Sequence, residues 1–456
     1  MLLECALIAV RSGHRVVIVC PTGALVYNFK SKLPDEEGVE NIQVDTIQGV
    51  MKYKREGQDT KHKANKWAPP SALRRIDLIL VDEGSQYNDD DWKHFYQSFK
   101  EQPHRPMVVV VADFQQLQPV DEKTAVHLCE AYCKSQQTVE LDTIYRSNDP
   151  EHLVFLNRIR SSQPDRRTLQ EYFVGRQWKR DVDLDVHVAR GMRIADDTGK
   201  PFSWLTCTNA GAAEVCAAAL RVLKVTPEEE AQGFASDYKF DSPLRIVAKK
   251  GMLIRLTRNL DKQRGFVNGA LAVVWEPLDG NRCFVACLCS NQNLVLVHPM
   301  REMDEKRSVM MTFLPCVYGY ATTIRRAQGA SLDQGCLYFD QTKCGGKPPG
   351  RGYGYVGASR FRSREGCYLY GRIRRTDFLP VGKPQEDEIT QRGMESASTD
   401  EDDGPQAAVR NVLAGKMRGF DDEDDCVSSE DEETDEEGLV RGPVVEEVAR
   451  MDLDFQ

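Results

Sequence analysis

Three short apolar, β-branched runs constrain this chain more than anything else in it. Val16-Val17-Ile18-Val19-Cys20 stops at Pro21, Asp77-Leu78-Ile79-Leu80-Val81 stops at Asp82-Glu83, and Met107 to Val111 stops at Ala112-Asp113. Unbroken apolar runs of this kind suit strands buried on both faces, as in a parallel sheet covered by helices. Helical stretches alternate with them, the first ending near Gly13, so the pattern predicts an α/β fold with a parallel sheet. Functional groups in such sheets belong at the carboxyl ends of the strands. Pro21-Thr22-Gly23, Asp82-Glu83 and Asp113 all fall there.

A second α/β pattern starts near Trp204, continues as a helix through Leu223, and resumes at Leu337-Tyr338-Phe339 and Cys367 to Tyr370. Inside it, Met252–Leu256, Ala270–Trp275, Cys283–Cys289 and Leu294–Val297 are short β-rich runs. Asn268-Gly269 and Asp279-Gly280-Asn281 supply turns between them, which predicts a small β-barrel inserted over about 251–300. The first pattern is also interrupted, over about 49–71, where Lys52, Lys54, Arg55, Lys61, Lys63 and Lys66 cluster with Tyr53 and Trp67. That stretch is either a solvated loop or a surface on which bases stack on Tyr53 or Trp67 while lysines follow a phosphate backbone. The expected domains are 1–145, 146–380 and a tail from 381 to 456.

The net charge of −10 hides an asymmetry. From Lys383 onward there are 24 acidic and 7 basic residues, leaving 46 acidic and 53 basic in the rest. A basic body suits a binder of phosphate backbones. The tail, with near-continuous acidic runs at Asp421–Asp425 and Glu430–Glu437, is too poor in apolar residues to order itself. Solubilising disorder is one reading of it. An interaction or autoinhibitory segment is another, and Ser428-Ser429 before Glu430 resembles an acidophilic-kinase site. No zinc spacing occurs among the fourteen cysteines, so reduced thiols and a nuclear or cytoplasmic setting are expected, with an organelle left open. No run is long and apolar enough for a membrane span.

Several motifs carry chemistry. Asp82 at a strand end suits a Mg²⁺ ligand and Glu83 a water-orienting base, although loop carboxylates look the same in isolation. Gln116, after Asp113, can sense a terminal phosphate; a helix cap is the plainer alternative. Arg146, after Tyr145, and Arg360, within Tyr355-Val356-Gly357-Ala358-Ser359-Arg360, supply the cations that phosphoryl transfer requires. Thr22, Thr46 and Thr323 can hold the phosphates of a single strand or simply cap helices.

In this order the motifs resemble the RecD-like and Pif-type helicases of superfamily one, over about Met1 to Pro380. The resemblance rests on Val19-Cys20-Pro21-Thr22-Gly23-Ala24, Asp82-Glu83, Asp113 to Pro119, Tyr145-Arg146 and Leu253 to Gly269. Thr323-Ile324-Arg325-Arg326-Ala327-Gln328-Gly329 and Tyr355 to Arg360 complete it. It implies two RecA-like P-loop NTPase domains with ATP and Mg²⁺ between them, an SH3-like barrel after Gly251, and a small wedge near 45–70. It further implies ATP-dependent 5′→3′ movement on single-stranded DNA or at DNA forks, in repair or recombination, by a monomer with no membrane partner. On this chain the resemblance makes Asp82 the Mg²⁺ ligand, Glu83 the base, Gln116 the phosphate sensor, and Arg146 and Arg360 the phosphate cations. Gln328 and Gly329 lie beside the nucleotide. Thr22, Gly23, Thr46, Asn268, Thr323 and Arg325 face nucleic acid, with Tyr53 and Trp67 in the basic insertion.

Some positions depart from the family pattern. Ala112 stands for Gly, Gln118 for Pro, and Arg325-Arg326 for His-Lys, which keeps the cationic character. No G-x-x-x-x-G-K-[ST] phosphate loop occurs; in the family it precedes the helix that opens this chain. The expectation is therefore an incomplete form with impaired ATP binding and an unpaired gap in mid-sheet. The alternatives are a non-catalytic nucleic-acid-binding relative and an RNA helicase of the same superfamily.

Overall fold

The computed structural model describes residues 1–51, 73, 75–100, 106–117, 139, 141, 146–240, 242–279, 282–304, 308–340 and 350–381. Tyr53 and Trp67 of the basic insertion, Tyr145 and the acidic tail lie outside the described residues. Among the described residues, no helix is long and apolar enough to cross a membrane.

The chain opens with helix α1 (Leu2–Arg11), which buries Leu2, Ala6, Leu7 and Val10 at helical spacing. Strand β1 (Val16–Cys20), helix α2 (Gly23–Lys30), strand β2 (Ile42–Thr46), helix α3 (Ile47–Met51), strand β3 (Leu78–Val81), helix α4 (Asp89–Lys100) and strand β4 (Met107–Val110) follow. The strands run parallel in the order β2-β1-β3-β4, with Ile18 beside Val44 and Leu80. Among the described strands this order is unbroken, and β4 pairs on one side only, with β3. β4 is the outer one, with Met107 exposed and Val108 to Val110 half-buried.

Every residue of β1 is buried, because both faces of the sheet are covered. Val17, Val19, Ile79 and Val81 pack with Ile47, Met51, Trp92 and Phe95 on one face. Val16, Ile18, Cys20 and Leu80 pack with Leu2, Ala6, Leu7, Val10 and Val26 on the other. Each such Val, Ile or Leu side chain contributes about 1.5–3 kcal/mol when fully buried.

The second α/β unit runs through helix α5 (Pro150–Ser161), helix α6 (Arg166–Tyr172), strand β5 (Gln177–Trp178), helix α7 (Leu184–Thr198), strand β6 (Phe202–Thr206) and helix α8 (Asn209–Val222). Short elements α9 (Pro227–Gln232), β7 (Phe234–Ala235) and β8 (Arg245–Ile246) lead into strands β9 (Leu253–Leu256), β10 (Leu271–Asp279), β11 (Cys283–Leu288), β12 (Leu294–Val297), β13 (Met300–Asp304), β14 (Val309–Phe313) and β15 (Cys316–Tyr318). The unit closes with β16 (Ala321–Thr323), β17 (Gln334–Tyr338), helix α10 (Tyr353–Ala358) and β18 (Cys367–Tyr370). Its parallel sheet has the order β16-β6-β17-β18-β5.

Between the two halves of this unit lies an antiparallel sheet, β12-β11-β10-β9-β15. Strict alternation buries Phe284, Ala286 and Leu288 of β11 over Val295 and Val297 of β12. This antiparallel region extends beyond the stretch legible in the sequence, through the β13–β14 hairpin to Tyr318. The hairpin keeps most of its side chains partly or fully in solvent, so no hydrophobic period marks it.

Candidate functional site

Strand ends position the acidic groups. The Asp82 N–H donates to Val19 O (2.9 Å) and the Gly84 N–H to Val111 O (2.8 Å), so the segment between them is pinned to two neighbouring strands. Glu83 is held there at φ +50, in the left-handed region that non-glycine residues rarely adopt. A Cβ on Gly84 would fall 2.6 Å from Val110 Cγ1, so only glycine lets the chain pass so close to β4. The half-buried Asp82 carboxyl is pushed up to about 7, first by loss of water and then by the neighbouring Glu83. A carboxyl in that state has much to gain from a cation.

Asp113, just past β4, is the hub of a network joining the two α/β units. Its Oδ1 accepts from the Gln115 N–H (3.1 Å) and Arg160 Nη2 (3.0 Å). Its Oδ2 accepts from Gln116 Nε2 (3.2 Å) and the Tyr355 hydroxyl (3.3 Å). Gln328 Nε2 then donates to Gln116 Oε1 (3.3 Å) and Leu117 O (3.4 Å). Both glutamines are buried. Their amides meet where the two α/β units adjoin.

Arg360 lies at the end of α10 and is fully buried. Its Nε donates to Val356 O (2.9 Å) and its Nη2 to Ser359 Oγ (2.8 Å). Nη1 is buried with no partner among the described residues. Burial, with Arg146 next, pushes the guanidinium down to about 10, while Glu83 is the strongest opposing influence. The group stays cationic at neutral pH. Arg146 joins it by donating from Nη1 to Ser359 O (3.2 Å). Asp82, Glu83, Gln116, Arg146, Gln328 and Arg360 therefore converge on one cluster between the two parallel sheets.

A second group of residues lies where the two α/β units adjoin. Thr22 Oγ1 caps α2 by accepting the Leu25 N–H (3.4 Å), Thr46 Oγ1 accepts the Gly49 N–H (3.2 Å), and Thr323 Oγ1 accepts the Arg326 N–H (3.3 Å). Capping is thus their visible role, and it leaves each hydroxyl proton available to donate. Gly23 is packed against Asn259, whose Oδ1 would be 2.2 Å from any Cβ placed there. That same Oδ1 accepts the N–H of the exposed Asn268 (2.9 Å). Asp45 and Lys262 form an ion pair across the junction (2.8 Å). Gly329 turns at φ +81, and a Cβ on it would meet Leu25 Cδ1 at 3.2 Å. Arg325 is half-buried beside it, and the Arg326 guanidinium lies 3.9 Å from the Phe240 ring centre.

Sequence reasoning did not single out Arg160, Asn259 or Lys262 as site residues. Arg160 is an ordinary surface residue type with no motif around it, and Lys262 lies within the Leu253 to Gly269 motif but at a position that motif does not specify. Only the tertiary approach of α5 to β4 brings Arg160 to Asp113. Asn259 carried a signal, the spacing to Asn268-Gly269, but its contact with Gly23 joins segments far apart in the chain.

Comparison with known proteins follows the same lines. The model of an AAA domain family matches residues 1–173. The ATP-dependent DNA helicase PIF1 of Xenopus laevis is 32% identical over 141 residues, which is 30% of this chain and 20% of that protein. The matched stretch thus spans about a fifth of that relative's length. Among solved structures, Pif1 helicase from Candida albicans superposes with a TM-score of 0.56 at 17% identity, covering 87% of this chain and 98% of that one. Bacteroides Pif1 in complex with ADP-AlF3 and single-stranded DNA gives 0.55 at 15%, covering 87% and 97%. A structure of two coordinating Pif1 helicases at forked duplex DNA gives 0.58 at 17%, covering 87% and 90%. At these identities the structural likeness is one of fold.

Proposed function

We propose that this chain, which is Pif1-like in motifs and fold and of the superfamily-one type, is the core of an ATP-driven helicase moving 5′→3′ on single-stranded DNA. The observation that carries this reading is the interdomain cluster, in which the Asp113–Gln116–Gln328 network links the two α/β units beside a buried guanidinium. A binding module has no use for a buried cation without a partner, an elevated carboxyl and a strained Glu83 in one place.

The residues present fit the acidic and cationic part of a magnesium-nucleotide site, with no G-x-x-x-x-G-K-[ST] loop among them. Asp82 would hold the cation. Among the described residues no group of three His, Cys, Asp or Glu side chains could hold a metal alone, so phosphate oxygens and water would complete the shell. Bound Mg²⁺ would offset charge on the terminal phosphates. Glu83 orients the attacking water, and Arg360, with its open Nη1, and Arg146 place positive charge on the phosphate side. Gln116 and Gln328 report the state of that site to the junction, where Thr22, Gly23, Thr46, Asn268, Thr323 and Arg325 face the strand. We read the antiparallel sheet after Gly251 as the SH3-like element of this architecture.

The test is hydrolysis stimulated by single-stranded DNA, in the protein carrying this sequence. Stimulation that disappears in Gln328→Ala while DNA is still bound supports the reading. Stimulation unchanged by that substitution would remove the coupling role assigned to the glutamine pair.

Gly23→Ala gives a second check. The new methyl forces Asn259 away and weakens binding of a labelled oligothymidine about tenfold, or about 1.4 kcal/mol. Fluorescence anisotropy measures this, and Asn259→Ala should absorb most of the loss in the double variant. Additive losses would show that the two residues do not act on each other.

A further inference from the structure

A cleft of about 670 Å³ opens at the carboxyl ends of β5, β17 and β18, in the second parallel sheet. None of its lining residues belongs to the Asp82–Arg360 cluster. Lys179 and Arg180 enter it just after β5, and Arg372 and Arg374 just after β18. Asp181 and the buried Asp377 are its two carboxylates, so cations are in excess. Phe339 and Tyr370 form an aromatic wall.

Arg180 is ordered in advance. Its guanidinium lies 5.2 Å from the ring centre of Tyr338 and 5.7 Å from that of Tyr370, and Nη2 donates to Phe339 O (3.3 Å). Gly371 turns at φ +105, and a Cβ on it would crowd Arg180 Nε at 3.1 Å. The turn after β18 therefore leaves room for the guanidinium, which spends little further entropy on meeting an anion.

Strand order gives this position a meaning. The first sheet reads β2-β1-β3-β4 and the second β16-β6-β17-β18-β5. Thr46 at the end of β2 and Thr323 at the end of β16 each accept a backbone N–H three residues on. Thr22 after β1 and Thr208 after β6 each cap the following helix in the same way. By that alignment β17 and β18 correspond to β3 and β4, whose ends carry Asp82-Glu83 and Asp113. The cleft is the second sheet's counterpart of the proposed nucleotide site, with guanidinium groups in place of carboxylates. Carboxylates meet phosphate only through a metal ion, whereas guanidinium groups meet it directly.

The geometry points to a second phosphate site, in which Arg180, Arg372 and Arg374 hold the phosphate of a nucleoside whose base lies against Phe339 and Tyr370. The cleft volume falls in the range of small-molecule sites, and aromatic rings beside cations suit any base. The ligand is a phosphorylated nucleoside, either free or as one unit of a nucleic-acid strand. This goes beyond the proposed helicase activity, because binding here requires no hydrolysis.

Photo-crosslinking to the full chain tests it, with 8-azido-ATP in one arm and a 5-iododeoxyuridine hexamer in the other. The result expected is label on peptides containing Phe339 or Tyr370, at least tenfold weaker in the Arg372→Ala/Arg374→Ala double variant and retained in Arg360→Ala. Both substituted arginines of the double variant are exposed, so its melting temperature should be unchanged. Arg180→Lys provides a second variant, which keeps the charge but loses the planar fork and should also lower labelling. Label from the azido-nucleotide names a free nucleotide as the source, and label from the hexamer alone names a strand. Absence of label from both probes overturns the proposal. So does a cleft that instead binds a peptide of residues 421–437 through Arg372 and Arg374, since it would then be an acidic-peptide site.

Discussion

Asp82→Asn raises the melting temperature of the ligand-free chain at pH 8 while abolishing hydrolysis by the protein that carries it. The folded Asp82 carboxyl titrates at about 7 instead of 3.8. Between those values the native state holds a proton that the unfolded state has released, so stability falls as pH rises through that window. Above 7 the penalty is complete and, at 1.36 kcal/mol per unit, amounts to a few kcal/mol. Asparagine has no charge to desolvate, so the gain at pH 8 should be a few degrees and should vanish near pH 4. Hydrolysis falls at least a thousandfold, because the amide cannot replace a carboxylate as the cation's ligand. Thermal melts of both proteins from pH 4 to 8 make the check. A variant that melts earlier at pH 8 would show that Asp82 is a structural carboxylate.

Arg360→Met separates catalysis from stability in the same way. The side chain is fully buried, with two of its nitrogens bonded to its own helix segment and Nη1 without a partner among the described residues. Buried charge of this kind costs several kcal/mol, and an apolar side chain of similar length removes that cost. Stability should therefore stay within about 1 kcal/mol of the parent, or rise. Hydrolysis should fall by a factor on the order of 10³ to 10⁵, the range associated with a cation on the transferring phosphoryl group. A melting temperature lower by more than about 10 °C, with activity reduced in proportion to folded protein, would make Arg360 a keystone of α10 only.

Legibility of the fold followed burial. β1 and β3 were plain because strands covered on both faces show unbroken apolar runs, and β4 keeps such a run although it is the outer, half-buried strand. β9 to β12 were plain because one face is covered and alternation results. β5 and β7, only two residues each, and the solvent-facing β13–β14 hairpin have neither pattern. Among the proposed site residues, Asp82, Gln116, Gln328 and Arg360 sit in local motifs, which is why the sequence singles them out. Arg160 and Asn259 could not, since their partners, Asp113 and Gly23, lie far away along the chain.

The sequence by itself determined the parallel α/β class, the places where strands end and the residue types that stand there, because burial period and turn chemistry are local properties. Tertiary structure alone decided that Gln116 and Gln328 share a hydrogen bond, that Arg360 is sealed from water within reach of Glu83 and Asp113, and that four cations after β5 and β18 meet in one cleft. Those outcomes depend on strand order and on the approach of two sheets. Neither is encoded in any one segment; both arise from how all the apolar faces are buried together.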